Sequence, residues 1–333
     1  AHNARVVAAD HIEVELPAGL SYRVGDHLSV VPRNDPANGQ PYDEKNTVFY
    51  LDPVSGQTLG QRYWGDCCFS RENFMPFMLE LHYSLTLPGN WGILLMGAIA
   101  ILWVVDCFIA VLLTLPRGRP FWRKWSTAWK IKGGHSYRLN MDIHRAGGLW
   151  LWLLLLPVAI SSVAMNLPAQ VFKPAVSLCS PVELSVYEAR GALPKDQLGQ
   201  TLLTYQQAFQ LAQQEGQRLG LSAPIGELYY SFEYNFYGAG FGQHDTDAQG
   251  KSWLFFHGTD GHLLGKEIAG QGTLGERFYR LQLPIHGGRI IGVTGQVLIA
   301  LLGVMIAVLS LTGVYIWWRK LQARRIGKAR KLA

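Results

Sequence analysis

Three long stretches of this chain are almost wholly apolar: residues 91–115, 146–167 and 290–318. A helix needs roughly 20 apolar residues to cross a hydrocarbon core of about 30 Å, so each stretch predicts a membrane-spanning helix. One charge, Asp106, interrupts the first. An intramembrane carboxylate is either a functional group or a neutral acid facing the bundle. Elsewhere the pattern changes period. "YLDPVSGQTLGQR" (50–62) and "FFHGTDGHLLGKE" (255–267) each read as strand, glycine turn, strand. "TYQQAFQLAQQEGQRLG" (204–220) carries a modest apolar stripe at Phe209, Leu211 and Leu219 and predicts a helix. "GELYYSFEYNFYG" (226–238) and "KSWLFFHGTDGHLLGKEI" (251–268) predict strands.

Charge orients the spans. The loop after the first span, "PRGRPFWRKWSTAWKIKGGHSYR", holds seven Lys or Arg and no acid, and the tail "RKLQARRIGKARKLA" holds seven more. Basic loops stay on the cytoplasmic side, so both are expected there. The mixed-charge segment 166–285 and the residues up to about 90 are then expected outside. Membrane charge rules account for the basic runs, so no nucleic-acid partner is called for.

The two strand–turn–strand stretches belong to an internal repeat. Gly60 precedes His82 by 22 residues, and Gly265 precedes His286 by 21. Each histidine then leads into a span. If those spans are bundle neighbours, His82 and His286 can reach one depth, as two axial ligands of one haem iron require. Gly287, Gly288, Gly292, Gly295, Gly89 and Gly92 would leave room for the macrocycle. His144 stands at the opposite mouth of the second span, too far away to share that iron. It would hold a second haem. Arg145 either pairs with a haem propionate or snorkels to the interface. His135 reads as a loop residue, His244 as part of a solvated turn, and His257 and His262 as surface residues flanking a β-turn. "GAGFG" (238–242) follows no βα pattern and is set aside as a phosphate loop.

Composition agrees with a membrane protein. The 333 residues are 49% hydrophobic and 16% charged, with 11 Trp and a net charge of +6. Cys67, Cys68, Cys107 and Cys179 show no metal-ligand spacing. Cys107 reads as a packing residue, and a bridge from Cys67 or Cys68 to Cys179 is open. The opening "AHNARVVAAD" has no signal-peptide pattern.

"FMPFMLELHYSL", the run from "LTLPRGRPFWRKW" through "IHRAGGLWLWLLLLPVAISSVAMNL", and the "LPIHGG…TGVYIWWRK" ending resemble the PepSY-associated transmembrane family, over about residues 45–330. That family includes iron-regulated membrane proteins and ferric-siderophore reductases. The resemblance implies an α+β membrane protein: a transmembrane helix bundle with a periplasmic PepSY-like domain of helix plus antiparallel β-sheet. Three spans are present where the family has four, so the chain is read as a fragment or variant without the first. His82, His144 and His286 fall on the family's histidine positions. Residues 11–35, "HIEVELPAGLSYRVGDHLSVVPRND", are similar to part of the FAD-binding domain of diflavin reductases. About 25 residues cannot form a flavin domain, and FAD is not assigned.

The expected organisation is an N-terminal segment (1–40), a partial first PepSY-like segment (41–90), a span (91–115) and a basic cytoplasmic loop (116–143). A second span (144–167), a periplasmic PepSY-like domain (168–285), a third span (286–318) and a basic cytoplasmic tail (319–333) follow. The expected function is an inner-membrane oxidoreductase with one or two b-type haems, reducing ferric siderophores to release Fe(II). Its electron donor would be cytoplasmic or membrane-bound, with a flavin reductase among the candidates. No catalytic side chain is assigned. The alternative is a haem-free PepSY binding or regulatory protein using the aromatic strand as its contact face.

Overall fold

The computed structural model describes residues 28–30, 47–51, 58–63, 68–71, 73–194, 201–242 and 250–332. Most of 11–35, together with Cys67 and His244, lies outside them. In chain order, the described elements open with strands β1 (Leu28–Val30), β2 (Thr47–Leu51) and β3 (Thr58–Tyr63). Helices α1 (Phe74–Ser84), α2 (Trp91–Thr114), α3 (Phe121–Trp125), α4 (Ser136–Asn166), α5 (Lys173–Ser177), α6 (Val186–Arg190) and α7 (Tyr205–Arg218) follow. Next come strands β4 (Ile225–Ser231), β5 (Phe236–Phe241), β6 (Ser252–His257) and β7 (Leu263–Glu267). Helices α8 (Leu274–Arg280), α9 (Gln282–His286) and α10 (Gly292–Leu332) close the chain. The chain divides into two compact units. One comprises residues 1–92, 183–244 and 251–271, and the other residues 93–182, 245–250 and 272–333.

The helical unit contains the three apolar helices α2, α4 and α10, each long enough to cross a membrane. Their outward faces carry Leu102, Leu113, Val293 and Val304, all well exposed, as lipid-facing positions are. The apolar window of α4 is 44% buried, against 17% for α2 and 11% for α10. Helix α4 is therefore the central one. Leu155, Val158 and Ala159 of α4 pack with Cys107 of α2 and Leu302 of α10. The Trp152 indole N–H donates to the Cys107 carbonyl at 2.9 Å, so a polar group inside the apolar layer is satisfied. Cys107 is buried, as a packing residue should be.

Two boundaries differ from the sequence expectation. Helix α4 starts at Ser136 rather than 144, because buried Asp142 pins the preceding loop. Its carboxylate accepts from the Lys132 amide at 3.0 Å and pairs with Arg145 at 2.6 Å. The helix that carries the third apolar run begins at Gly292 and runs on to Leu332. His286 closes the separate short helix α9, since Gly288 and Gly292 adopt left-handed backbone with φ of +74° and +67°. Beyond Trp318 the tail is rich in Ala, Leu, Lys and Arg, strong helix formers that carry the helix on. The basic loop before α4 is also structured. Phe121, Trp122, Trp125 and Trp129 form a contiguous run of ring contacts. The Trp125 indole donates to Thr114 Oγ1 at 3.1 Å.

The other unit holds two antiparallel sheets. Strands β1, β2 and β3 lie in that order, with β2 and β3 forming the hairpin expected over 50–62. Strands β4 to β7 form a four-stranded meander. Helix α7 starts at a reciprocal cap between Thr204 and Gln207. It buries Phe209 and Ala212 against Ile225, Ala239, Phe241, Leu254 and Phe256. The stretch 226–238 is not one strand: it turns at Asn235, where φ is +46°, and returns as β5. "GAGFG" lies largely in β5. A Cβ at Gly240 would come within 3.0 Å of the Trp253 ring, and one at Gly238 would overlap the Tyr229 ring. These glycines make room for aromatic rings lying across the sheet. No Cys179 bridge forms, for Cys179 is a free, exposed thiol while Cys68 is disulfide-bonded.

Candidate functional site

His144 sits two turns inside α4, facing α10. Its Nδ1 lies 3.0 Å from the Leu309 carbonyl and 3.1 Å from Thr312 Oγ1. A carbonyl can only accept, so Nδ1 carries the hydrogen. The Thr312 hydroxyl spends its own hydrogen on the Val308 and Leu309 carbonyls, at 2.9 and 3.0 Å, and so accepts from His144 as well. The neutral ring therefore carries its lone pair on Nε2, a tautomer assigned from the network. Gly313 makes the approach possible: a Cβ there would stand 3.1 Å from His144 Cε1.

His286 shows the same arrangement with different residues. Its Nδ1 lies 3.0 Å from Ser161 Oγ. The Ser161 hydroxyl, fully buried, donates to the Val158 carbonyl at 2.9 Å. Its single hydrogen is thus in use, and it accepts from His286 Nδ1. This network again assigns the hydrogen to Nδ1 and the lone pair to Nε2. Ser161 and His144 both ride on α4, 17 residues apart, or about 25 Å at 1.5 Å per residue. The two anchored histidines therefore mark opposite ends of one membrane-crossing helix.

His82 lies in the last turn of α1 and is exposed. It belongs to the sheet-bearing unit, whereas His144 and His286 belong to the helical one. Arg145 is engaged by the protein itself. It pairs with Asp142 and donates to the Ala128 carbonyl at 3.1 Å and the Lys130 carbonyl at 3.5 Å. In this conformation it fastens the basic loop to α4 instead of reaching for a propionate. His135 precedes α4 and is exposed. Asp106 is exposed on α2.

The glycines expected to make space for a macrocycle divide. Gly288 and Gly295 pack backbone to backbone, and Gly92 lies against the Ser84 carbonyl; a Cβ at any of the three would collide with main-chain atoms. They build tight corners. At Gly89 and Gly292 a Cβ would meet nothing within 4 Å, and at Gly287 it would meet only the Leu283 carbonyl at 3.6 Å and the Arg289 side chain at 3.9 Å, so these three leave space. Gly147 admits Leu309 of α10, which would lie 3.4 Å from a Cβ at that position.

Sequence reasoning missed Ser161, Thr312 and Gly313. The one signal for them was a small or hydroxyl residue inside an apolar run, and such residues abound in membrane helices. The donor set suits haem iron. Ligating histidines characteristically donate their other N–H to a carbonyl or similar acceptor, which fixes ring orientation.

No curated protein matches the chain. The family model described as the PepSY-associated TM region matches residues 5–320, and that match takes in the stretch 11–35. With three apolar helices, an antiparallel sheet domain and a match over nearly its whole length, the chain belongs to the PepSY-associated transmembrane family.

Proposed function

We propose that the protein is a b-type-haem oxidoreductase of the inner membrane, passing electrons from a cytoplasmic donor to a ferric chelate such as a siderophore on the periplasmic side. The observation that carries this reading is the shared Nδ1 anchoring of His144 and His286. Each is anchored through Nδ1 by an oxygen of a neighbouring helix, as histidines that bind a metal through Nε2 characteristically are. One such ring at each end of α4 suits carriers near opposite faces of a bilayer. A b-type haem supplies a reversible one-electron iron couple.

The chain's own residues do the rest. His286 and His144 would bind through Nε2, and the internal repeat nominates His82 as a further ligand. Ser161 and Thr312 hold the rings in place. The lipid-exposed leucines and valines of α2 and α10 keep water from the helix interior. The basic tail and loop support a cytoplasmic position for the His144 end by the positive-inside rule. Reduction favours release because hard oxygen chelators hold Fe(II) less tightly than Fe(III).

A contact-face reading has less behind it. The aromatic strand is largely occupied internally: Phe236 is fully buried, and the Tyr229 hydroxyl is 2.5 Å from that of Tyr187. Burial pushes both phenols above their ordinary pKa.

The test is stopped-flow mixing of the dithionite-reduced, detergent-purified protein with a ferric hydroxamate, with a chromogenic Fe(II) chelator present. Reoxidation of the protein matched by Fe(II) appearance supports the reading. A reduced protein that keeps its electrons contradicts it.

A further inference from the structure

The β6–β7 turn presents three metal-binding side chains. His257 Nδ1 lies 3.1 Å from Asp260 Oδ1, and His262 Nδ1 lies 2.6 Å from the same oxygen. The two imidazoles stack, with ring centres 4.9 Å apart and planes tilted by 21°. All three ligand atoms fall within 4.8 Å of one another. We propose that His257, Asp260 and His262 form a binding site for a divalent first-row transition metal ion, a site separate from the helix histidines and independent of the haem reading.

The backbone explains the convergence. Phe256 and Leu263 are paired in the ladder, so His257 and His262 stand opposite one another at the hairpin's end. The His257 amide donates to the His262 carbonyl at 2.9 Å, and the Gly261 amide to the His257 carbonyl at 3.0 Å. Opposed residues in an antiparallel pair project to the same face. Asp260, in the turn, points its carboxylate back between them.

The turn is clamped from outside as well. The Gly258 carbonyl accepts from the Leu202 and Leu203 amides and from Thr201 Oγ1, at 3.0, 3.1 and 2.8 Å. The Gly258 amide donates to the Asn235 carbonyl at 2.9 Å. Gly261 holds φ at +72° beneath Leu211 and Leu203. A rigid support of this kind is what a precise ligand set requires.

The chemistry fits a borderline metal. Two imidazoles and one carboxylate are the donors of many zinc and non-haem iron sites, which keep positions open for water or substrate. Metal–ligand bonds of about 2.1 Å in tetrahedral geometry put neighbouring ligand atoms about 3.4 Å apart. The His257–Asp260 separation is already close to that. His262, the more exposed imidazole at 56%, has the freedom to close the remaining edge. The Thr259 amide reaches His257 Nδ1 only at 3.4 Å, a weak bond that coordination would replace. The Arg190 guanidinium lies close enough to act on the His257 imidazole. Its positive charge opposes a bound cation, so Arg190 should weaken the site.

The internal repeat supplies a contrast. In "YLDPVSGQTLGQR" the places of His257, Asp260 and His262 are taken by Asp52, Ser55 and Gln57. The hairpin pattern recurs without the ligand set, so strand and turn formation do not by themselves call for these side chains.

The experiment is calorimetric titration of Zn(II) into the chelator-stripped, detergent-purified full chain at neutral pH. One equivalent is expected, with His262→Ala weakening that event at least tenfold and Asp260→Asn weakening it less. Arg190→Gln should tighten it. Thermal melting of each metal-free variant checks that the fold persists, and Zn(II) should raise the melting temperature of the parent but not of His262→Ala. Absence of a one-equivalent event in the parent, or an event unchanged in folded His262→Ala, would overturn the site.

Discussion

The helix histidines and the hairpin histidines are wired in opposite senses. In α4 and α9, His144 and His286 each give their Nδ1 hydrogen to a neutral oxygen, a carbonyl or a hydroxyl that has no hydrogen to spare. In the β6–β7 turn, His257 and His262 both aim Nδ1 at one carboxylate. A neutral acceptor on a packed helix orients the ring through Nδ1, as in histidines that bind a metal through Nε2. A carboxylate at a wet turn attracts a proton or a cation between itself and the rings. The same side chain is thus prepared for two kinds of ligand: a large planar metal complex among helices, and a bare ion on the sheet.

The sharpest way to break this contrast is His286→Ala. It should remove the absorption and redox signal of one haem entirely while leaving Zn(II) titration intact, as read by difference spectra and calorimetry on the same preparation. Gly288→Ala comes next. Its φ of +74° and the Gly295 main chain against it leave no room for a methyl. Loss of about 3 kcal/mol or more is expected, seen as a lower melting temperature in detergent. Ser161→Ala should keep the fold but lose the orienting acceptor of His286. Haem affinity should fall about 10–100-fold, measured by transfer to an apo-haemoprotein acceptor. Within the sheet unit, Tyr187→Phe deletes the 2.5 Å hydroxyl pair with Tyr229 and should cost about 1 kcal/mol in thermal unfolding.

The smallest effect concerns pH. His257 has a folded pKa below its ordinary 6.5, so below that value the unfolded chain binds more protons than the folded one. The resulting stability is complete above 6.5 and is lost as pH falls through the folded value. Asp260, held below its ordinary 3.8 by the His262 hydrogen bonds, acts only at lower pH. The metal-free protein should melt lower at about pH 5 than at about pH 7, with a smaller drop in His257→Gln.

What could be read in advance followed the range of the interaction. Three spans announce themselves as apolar runs, and both hairpins as glycine turns between strands. The α7 cap is a local Thr204–Gln207 pattern. Tertiary pairings stayed hidden. Ser161 meets His286 across 125 residues, and Thr312 meets His144 across 168, with nothing local to mark either. The reason for the glycines of "GAGFG" stayed hidden as well, because they answer to Tyr229 and Trp253 on neighbouring strands. The division of 226–238 turns on Asn235, whose side chain tolerates the left-handed backbone it adopts between the two strands. Arg145 reads as outward-reaching in the sequence because its partner, the buried Asp142, is recognisable only once the loop carbonyls at Ala128 and Lys130 are in place.

The most direct test of the central claim is the dithionite-reduced minus oxidised absorption spectrum of the detergent-purified chain, with haem quantified per protein. A Soret band that shifts on reduction, diminished in folded His286→Ala and in folded His144→Ala, is the result expected of two anchored ligand histidines. A colourless protein, or a spectrum indifferent to both substitutions, would contradict it.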